Sequence, residues 1–473
     1  MCEIYQLIKT FPGMRFYKKI LRVVVLMLAV TLAYGVWYCW RAFPIISGFG
    51  AKNLASAFYL QHRNPDSIIK EELSFFPVSL ASYDFNATDS SVTASVWGLA
   101  KSKAIYRTGI GCTLVNSIPE AEIRKQHFDI PMPPVGNRDT IAWPFGDKIT
   151  DSVAAAIDTA LLQKAILNAM QAPGRNGQPA YTRAFLVVYD GKIVGERYAP
   201  GFDKHSRLIG WSMSKSLNAA VIGVLVKAGK LDPNAPAPVP EWKNTDKEKI
   251  TLKELLQQTT GLDFTEDYGS PSEATNMLFK QGNMGAFTAR LPLKFPPGTI
   301  FNYSSGNANI LSRIIRHTVG DSDYTAFPYK ALFHKINMYS LLLEPDASGT
   351  YIGSSYSYAS ARDFARFGLL YYNNGVWNGE QLLPANWVKE TVQPANANKQ
   401  KRYGYQFWLN GADDKDPAKR WFPDAPADMY FADGFGGQNI FIIPSKKLIV
   451  VRLGVKTIDE NKYLGEVIRS IKN

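Results

Sequence analysis

The chain has 473 residues, 46% apolar and 20% charged, with a formal net charge of +12. That composition supports one large domain with a smaller companion and excludes a disordered chain. Beyond the N-terminus the basic excess forms no dense Lys/Arg run, which argues against a nucleic-acid partner. The three cysteines, Cys2, Cys39 and Cys112, leave only Cys112 in the globular part, so no disulfide framework is expected there and Cys112 reads as a plain buried thiol. The five histidines are scattered, no Cys/His spacing suits zinc, and neither a metal nor a cofactor is expected.

In chain order, residues 1–22 carry Lys9, Arg15, Lys18, Lys19 and Arg22 against Glu3, five basic minus one acidic for a net +4. Residues 23–40, VVVLMLAVTLAYGVWYCW, are 18 residues without a charge, close to the length that crosses a bilayer. The one-sided basic flank and the far-side Trp37, Tyr38 and Trp40 predict a single transmembrane anchor. They place 1–22 in the cytoplasm and the remaining chain outside, in the periplasm or its equivalent. A cleaved signal peptide is the alternative, but Ala33-Tyr34-Gly35 is a poor processing site and apolar residues continue past it.

Residues 41–150 form a first region. SSVTASVWGLAKSKAIYR (90–107) alternates like two strands with a turn around Gly98 to Lys103, and the Pro-, Gly- and Asp-rich 129–148 reads as a linker or extended strap. Residues 151–473 then form the main domain. A helix is predicted over 151–170, and a hairpin over 184–199 around Asp190-Gly191. Helices dominate 250–390. A second hairpin turns at Ser445-Lys446-Lys447, and a final helix covers about 459–471. Strands at both ends of a helical middle predict an α/β (α+β) sandwich: one antiparallel sheet flanked by helices, with an all-helical lobe inserted.

The stretch GWSMSKSLNAAVIGVLVKAGKLD (210–232) holds the candidate chemistry. Ser212 and Lys215 stand three residues apart, on one face of a helix. Serine is a weak nucleophile until a base takes its proton, and lysine serves as that base only when burial lowers its pKa. The helix that follows is apolar on most faces, so a lysine at its head is drawn out of water. Such spacing is weak alone; Ser67 and Lys70 repeat it beside Glu71 and Glu72, where it reads as a solvated helix face. Gly210-Trp211-Ser212-Met213-Ser214 also approximates a Gly-x-Ser-x-Gly elbow, without its last glycine or a preceding parallel strand. Two further elements support Ser212. Tyr303 stands in a turn just before a helix in KFPPGTIFNYSSGNANILSRII (294–315). Glycines open a strand in FADGFGGQNIFIIP (431–444), where backbone N–H groups can approach a substrate.

In this order the three elements resemble the serine β-lactamase and penicillin-binding-protein superfamily, and within it the class C β-lactamase-related branch of esterases and 6-aminohexanoate-dimer hydrolases. ITLKELLQQTTGLDF (250–264) and residues 357–388 also resemble that branch, so the likeness spans about 160–470. It implies a β-lactamase-like fold, an acyl-enzyme on Ser212, and Lys215 and Tyr303 as proton-transfer residues. It places Phe435, Gly436, Gly437 and Ser305 in the oxyanion or substrate-binding set. Ser305 stands where β-lactamases carry Asn, and no Lys-Thr-Gly triad precedes the last strands. Those departures favour an amide or ester substrate over a β-lactam. A D-amino-acid peptidase and a non-catalytic sensor of cell-wall material are the alternatives.

Overall fold

The computed structural model describes residues 12–149, 155–412, 416 and 419–472. Its first element is α1 (Pro12–Ala55), 44 residues and about 66 Å long at 1.5 Å per residue. Its outer part is exposed and apolar enough to cross a membrane, with a mean hydropathy of 2.1 over the best window. From Ile45 onward the same helix is buried, with Ile45, Ala51, Leu54 and Ala55 in a core. The candidate span and the core segment are therefore one helix, with Pro44 between them, and Ala33-Tyr34-Gly35 lies in its middle.

Around the buried end of α1 fold β1 (Ala81–Asn86), β2 (Ser91–Val96), β3 (Leu99–Arg107) and β4 (Gly111–Val115), an antiparallel sheet in that order. The β2–β3 turn is tighter than its sequence suggested, only Trp97-Gly98, with φ of 53° and 77°. This region shares its core with the main domain: Ala51, Leu54, Val92 and Cys112 pack in one cluster with Phe264, Met277, Tyr356 and Tyr358. A buried ion pair fastens the union. Lys52 Nζ bonds the Glu344 carboxylate, whose side chain is fully buried. Ser56 Oγ donates to Glu344 Oε1 at 3.0 Å and the Cys112 N–H at 2.6 Å. Cys112 is buried and its thiol pKa is raised by desolvation, as suits a packing residue.

The strap over 129–148 has no strand and is clamped by two buried arginines. Arg366 Nε donates to the Pro144 carbonyl at 2.8 Å, and Arg362 Nη1 to that of Asp147 at 2.6 Å. The predicted helix over 151–170 is α2 (Thr159–Gln171), capped by Asp158; residues 151–154 lie outside the described residues. Both predicted hairpins form: β5 (Ala184–Tyr189) with β6 (Lys192–Tyr198), and β12 (Gln438–Ile443) with β13 (Leu448–Leu453). With β10 (Trp408–Leu409) and β11 (Tyr430–Gly434) they make one antiparallel six-stranded sheet in the order β10-β11-β12-β13-β5-β6. The two ends of the domain thus meet at β13 and β5, paired from Leu448–Tyr189 to Leu453–Ala184.

Between them run α3 (Met213–Lys227), α4 (Leu252–Leu256), α5 (Glu273–Lys280), α6 (Met284–Ala289), α7 (Ser305–Val319) and α8 (Ala361–Tyr372); α9 (Glu460–Arg469) closes the chain. The lobe is not all-helical. It carries a small sheet of β7 (Leu208–Ile209), β9 (Ser357–Ala359) and β8 (Leu342–Leu343), which ties the residues before α3 to the lobe. The second Ser-x-x-Lys is partly as expected. Ser67 and Lys70 are exposed, but Glu71 and Glu72 are not simply solvated, since Arg183 reaches them at 3.0 and 2.6 Å.

Removing one partner of a buried ion pair leaves an uncompensated charge, at a cost of about 3–5 kcal/mol. Glu344→Gln strands the Lys52 ammonium and is expected to lower the thermal unfolding midpoint clearly. A mixed Lys52→Met/Glu344→Leu variant recovers most of that loss. Unfolding followed by circular dichroism checks both.

Candidate active site

α3 is buried on nearly every side, from Met213 through Leu217 and Ala219 to Gly223 and Leu225. Gly223 allows this crowding, because a Cβ there would lie 2.8 Å from the Trp387 ring. The helix therefore carries its first-turn lysine into a dry interior, and Lys215 is only 1% exposed. Its Nζ donates to Ser212 Oγ at 2.9 Å, to Ser305 Oγ at 3.0 Å and to the Ser354 carbonyl at 3.2 Å. It also stands 4.7 Å from the centre of the Tyr303 ring. Desolvation pulls its pKa down to about 8, against the opposing charges of Glu266 and Asp433.

Ser212 caps α3, half-buried at the rim. The residue before it, Trp211, is held at φ 46°, a left-handed conformation that costs a large side chain energy. The strain fits a sharp turn from β7 into the helix, the work a nucleophile elbow does elsewhere. Here β7 pairs antiparallel with β9, so the elbow fold itself is absent. Ser214 points away from Lys215, its Oγ 2.7 Å from Ser357 Oγ. The geometry thus separates the two serines of the stretch.

Tyr303 lies in the turn before α7, whose cap is Ser304. Its ring stacks on Trp408 at 5.1 Å and meets Tyr403 edge-on at 5.7 Å. Its hydroxyl faces Ser212, and burial raises its pKa well above 10. The Leu-rich 250–264 stretch supports this turn from below: Asn307 Nδ2 donates to Gln258 Oε1 at 2.8 Å, and Asn302 Nδ2 to the Phe264 carbonyl at 2.8 Å.

Ser305 is fully buried, away from the rim. Besides Lys215, it donates through Oγ to Glu266 Oε1 at 2.5 Å and through its N–H to Glu266 Oε2 at 2.8 Å. Tyr268 donates to Glu266 at 2.6 Å and lies 3.1 Å from Ser305 Oγ. So Ser305 belongs to a chain Ser212–Lys215–Ser305–Glu266–Tyr268 rather than to an oxyanion or substrate-binding surface. Glu266 and Tyr268 escaped the sequence reading. Their only local signal is an acid and an aromatic two residues apart, just after the Thr-Gly-Leu turn.

At the third element, β11 ends against the head of α3: a Cβ on Gly434 would lie 2.2 Å from the Gly210 carbonyl oxygen. Phe435 is 60% exposed and its ring meets Trp211 at 5.7 Å. Among the described residues, neither the Ser212 nor the Phe435 N–H has a hydrogen-bond acceptor. The Gly437 N–H is taken by the Gly434 carbonyl at 3.0 Å, and the Gly436 and Gly437 carbonyls by Arg452. These two glycines, at φ 79° and 78°, build the turn that presents Phe435. Asp433, overlooked in the sequence, precedes it; burial pushes its pKa up to about 7, with Asn439 Nδ2 donating at 2.7 Å.

The β-lactamase family profile matches residues 169–465, more than half of the chain. The chain belongs to the beta-lactamase family. A 6-aminohexanoate-dimer hydrolase of Paenarthrobacter ureafaciens is 25% identical over 292 residues, 58% of this chain and 72% of that protein. EstA from Arthrobacter nitroguajacolicus Rue61a shares the fold with a TM-score of 0.51, at 17% identity over 68% of this chain and 98% of its own. A penicillin-binding protein homologue from Caulobacter crescentus gives 0.50, at 15% identity over 68% and 98%. This beta-lactamase-family member is a serine hydrolase.

Glu266 opposes the fall in the Lys215 pKa, so removing its charge lets that pKa fall further. Glu266→Gln is expected to shift the pH dependence of ester hydrolysis to lower pH by roughly half a unit to one unit, with kcat reduced about tenfold as Ser305 loses one of its two acceptor oxygens. Unchanged midpoint and kcat would remove Glu266 from the site.

Proposed function

We propose that the chain is a membrane-anchored serine hydrolase that cleaves an amide or ester bond through an acyl-enzyme on Ser212. The carrying observation is the Ser212–Lys215 contact of 2.9 Å together with a buried lysine whose pKa is about 8. Near neutral pH an appreciable fraction of Lys215 is uncharged and takes the Ser212 proton as Oγ attacks. Burial raises the Tyr303 pKa well above its ordinary value while it lowers that of Lys215, so Tyr303 keeps its proton and Lys215 is the base. Its hydroxyl hands a proton to the leaving alcohol or amine and is refilled from Lys215. The free N–H groups of Ser212 and Phe435 receive the developing oxyanion. Water then attacks the acyl-enzyme by the same route in reverse and releases the acid.

Asp433 stands in the strand where a β-lactam carboxylate would need a cation. An acid there disfavours β-lactams and the carboxylate-ended peptides of D-amino-acid peptidases, and favours neutral or amine-bearing substrates. The intact serine–lysine contact disfavours a non-catalytic sensor. For the anchor, the support is the unbroken α1: a processing site at residues 33–35 would lie within a helix whose far end is core. The basic flank sets the main domain on the outer side.

Ser212→Ala is expected to lower p-nitrophenyl ester turnover by at least about a thousandfold and to abolish labelling by a fluorophosphonate. Retained labelling or turnover excludes Ser212. For the wild type, kcat/KM for a neutral ester rises with pH through a midpoint near 8 and levels off about one unit higher, as Lys215 loses its proton. A profile flat between about pH 6 and 10 assigns the base elsewhere.

A further inference from the structure

Beyond the span, large apolar side chains are exposed at the end of the body nearest to it. The β2–β3 turn presents Trp97 at 69% and Leu99 at 61% exposure. Trp97 packs edge-on against Phe43 of α1 at 5.3 Å, only three residues past Trp40. The hairpin also points that way. Tyr83, paired with Ala94, lies against Gly50; Ser47 Oγ donates to the Ala100 carbonyl at 2.5 Å; Trp97 reaches Phe43. Moving down α1 from Gly50 to Phe43 thus follows the hairpin to its tip.

The tip breaks a local rule. A two-residue turn of this kind favours Asn-Gly, because its first residue needs a left-handed conformation. Here that residue is tryptophan at φ 53°, strained and exposed, where asparagine would be both easier and more soluble. An indole held so at the height of the aromatic belt suits the membrane–water interface, where one edge is apolar and one is wet.

A second feature links this end to the site. Phe75, Phe49, Trp211 and Phe435 form a row of rings with successive centroids 5.9, 6.3 and 5.7 Å apart. Phe49 belongs to α1, about 14 Å of helix beyond Trp40. Trp211 adjoins Ser212. An apolar edge therefore runs from the anchoring helix to the nucleophile.

We propose that Trp97 and Leu99 seat the body on the bilayer, and that Ser212 takes its substrate from that bilayer: an ester or amide whose acyl chain lies in the leaflet. This rests on the anchored-hydrolase reading above. The acyl C–O or C–N bond breaks as the acyl group moves to Ser212 Oγ and the leaving group takes a proton. Water then cleaves the Ser212 ester and frees the fatty acid.

The test uses the full chain in phosphatidylcholine vesicles, with 4-methylumbelliferyl palmitate embedded in the same vesicles and the acetate ester in the water. Trp97→Asn/Leu99→Thr relieves the turn strain, so its thermal midpoint is expected to hold or rise. Its acetate rate stays that of the wild type, while its palmitate rate falls at least about tenfold. Brominated lipid quenches less tryptophan emission in this variant than in the wild type. A palmitate rate unchanged in the double variant overturns the proposal. So does a shift of the detergent-solubilised chain from dimer to monomer in that variant, which assigns the surface to a second copy. Failure of the underlying reading looks different: Ser212→Ala would keep its acetate turnover.

Discussion

Burying Lys215 takes an ammonium out of water and gives it three neutral oxygens in exchange: a serine hydroxyl on either side and one carbonyl. A carboxylate in direct contact would stabilise the charged form and hold the lysine protonated. Glu266 is kept one step away, behind Ser305, so its field reaches Lys215 but its oxygens do not. That spacing satisfies two opposed demands. The interior must tolerate the charge, and a lysine acting as the base proposed above must give it up near neutral pH. Much of the surrounding architecture serves this end, including an α3 apolar on most faces, the 250–264 stretch under Tyr303, and β11 pressed against Gly210.

The parts of the molecule legible in the sequence are those fixed by local chemistry. Asp190-Gly191 specifies a hairpin by its turn requirements, Ser212 and Lys215 share a face by helix periodicity, and Tyr303 falls in the turn before a capped helix. The chain order of strands and helices was enough for the single sheet joining β5 to β13. The features that escaped are long-range. Glu344 meets Lys52 from 292 residues away, and nothing near either residue announces the other. Ser305 looked like a substrate contact from its motif alone; only the folded chain shows it buried against Lys215 and Glu266. The left-handed Trp211 leaves no trace in composition, since tryptophan is not a residue that such a conformation selects.

Residues 41–150 look separable in sequence because a Pro-rich strap follows them, and the family match begins only at residue 169. Packing ties the two regions together. Phe49 stacks on Trp211 at 6.3 Å, so a residue outside the matched region forms part of the wall beside Ser212. The strap is largely exposed, but its end at Pro144, Gly146 and Asp147 is held by buried Arg362 and Arg366. The hydrolase fold has in effect grown a second core around α1, and the two share side chains from both regions.

α1 passes as one helix, with Pro44 at the junction, from its apolar outer half into that shared core and is locked there by Lys52 and Glu344, so a bilayer around the outer half would be joined to the body with little slack. Most tethered enzymes sweep a volume whose radius grows with their linker. If the outer half of α1 is the tether, the radius is set by a helix instead of a flexible linker. With the outer half of α1 in a bilayer, Ser212 would stay near one height and one tilt. Encounter with a substrate held in that bilayer would then follow lateral diffusion and surface density, while a water-dissolved ester would still reach Ser212 from the bulk.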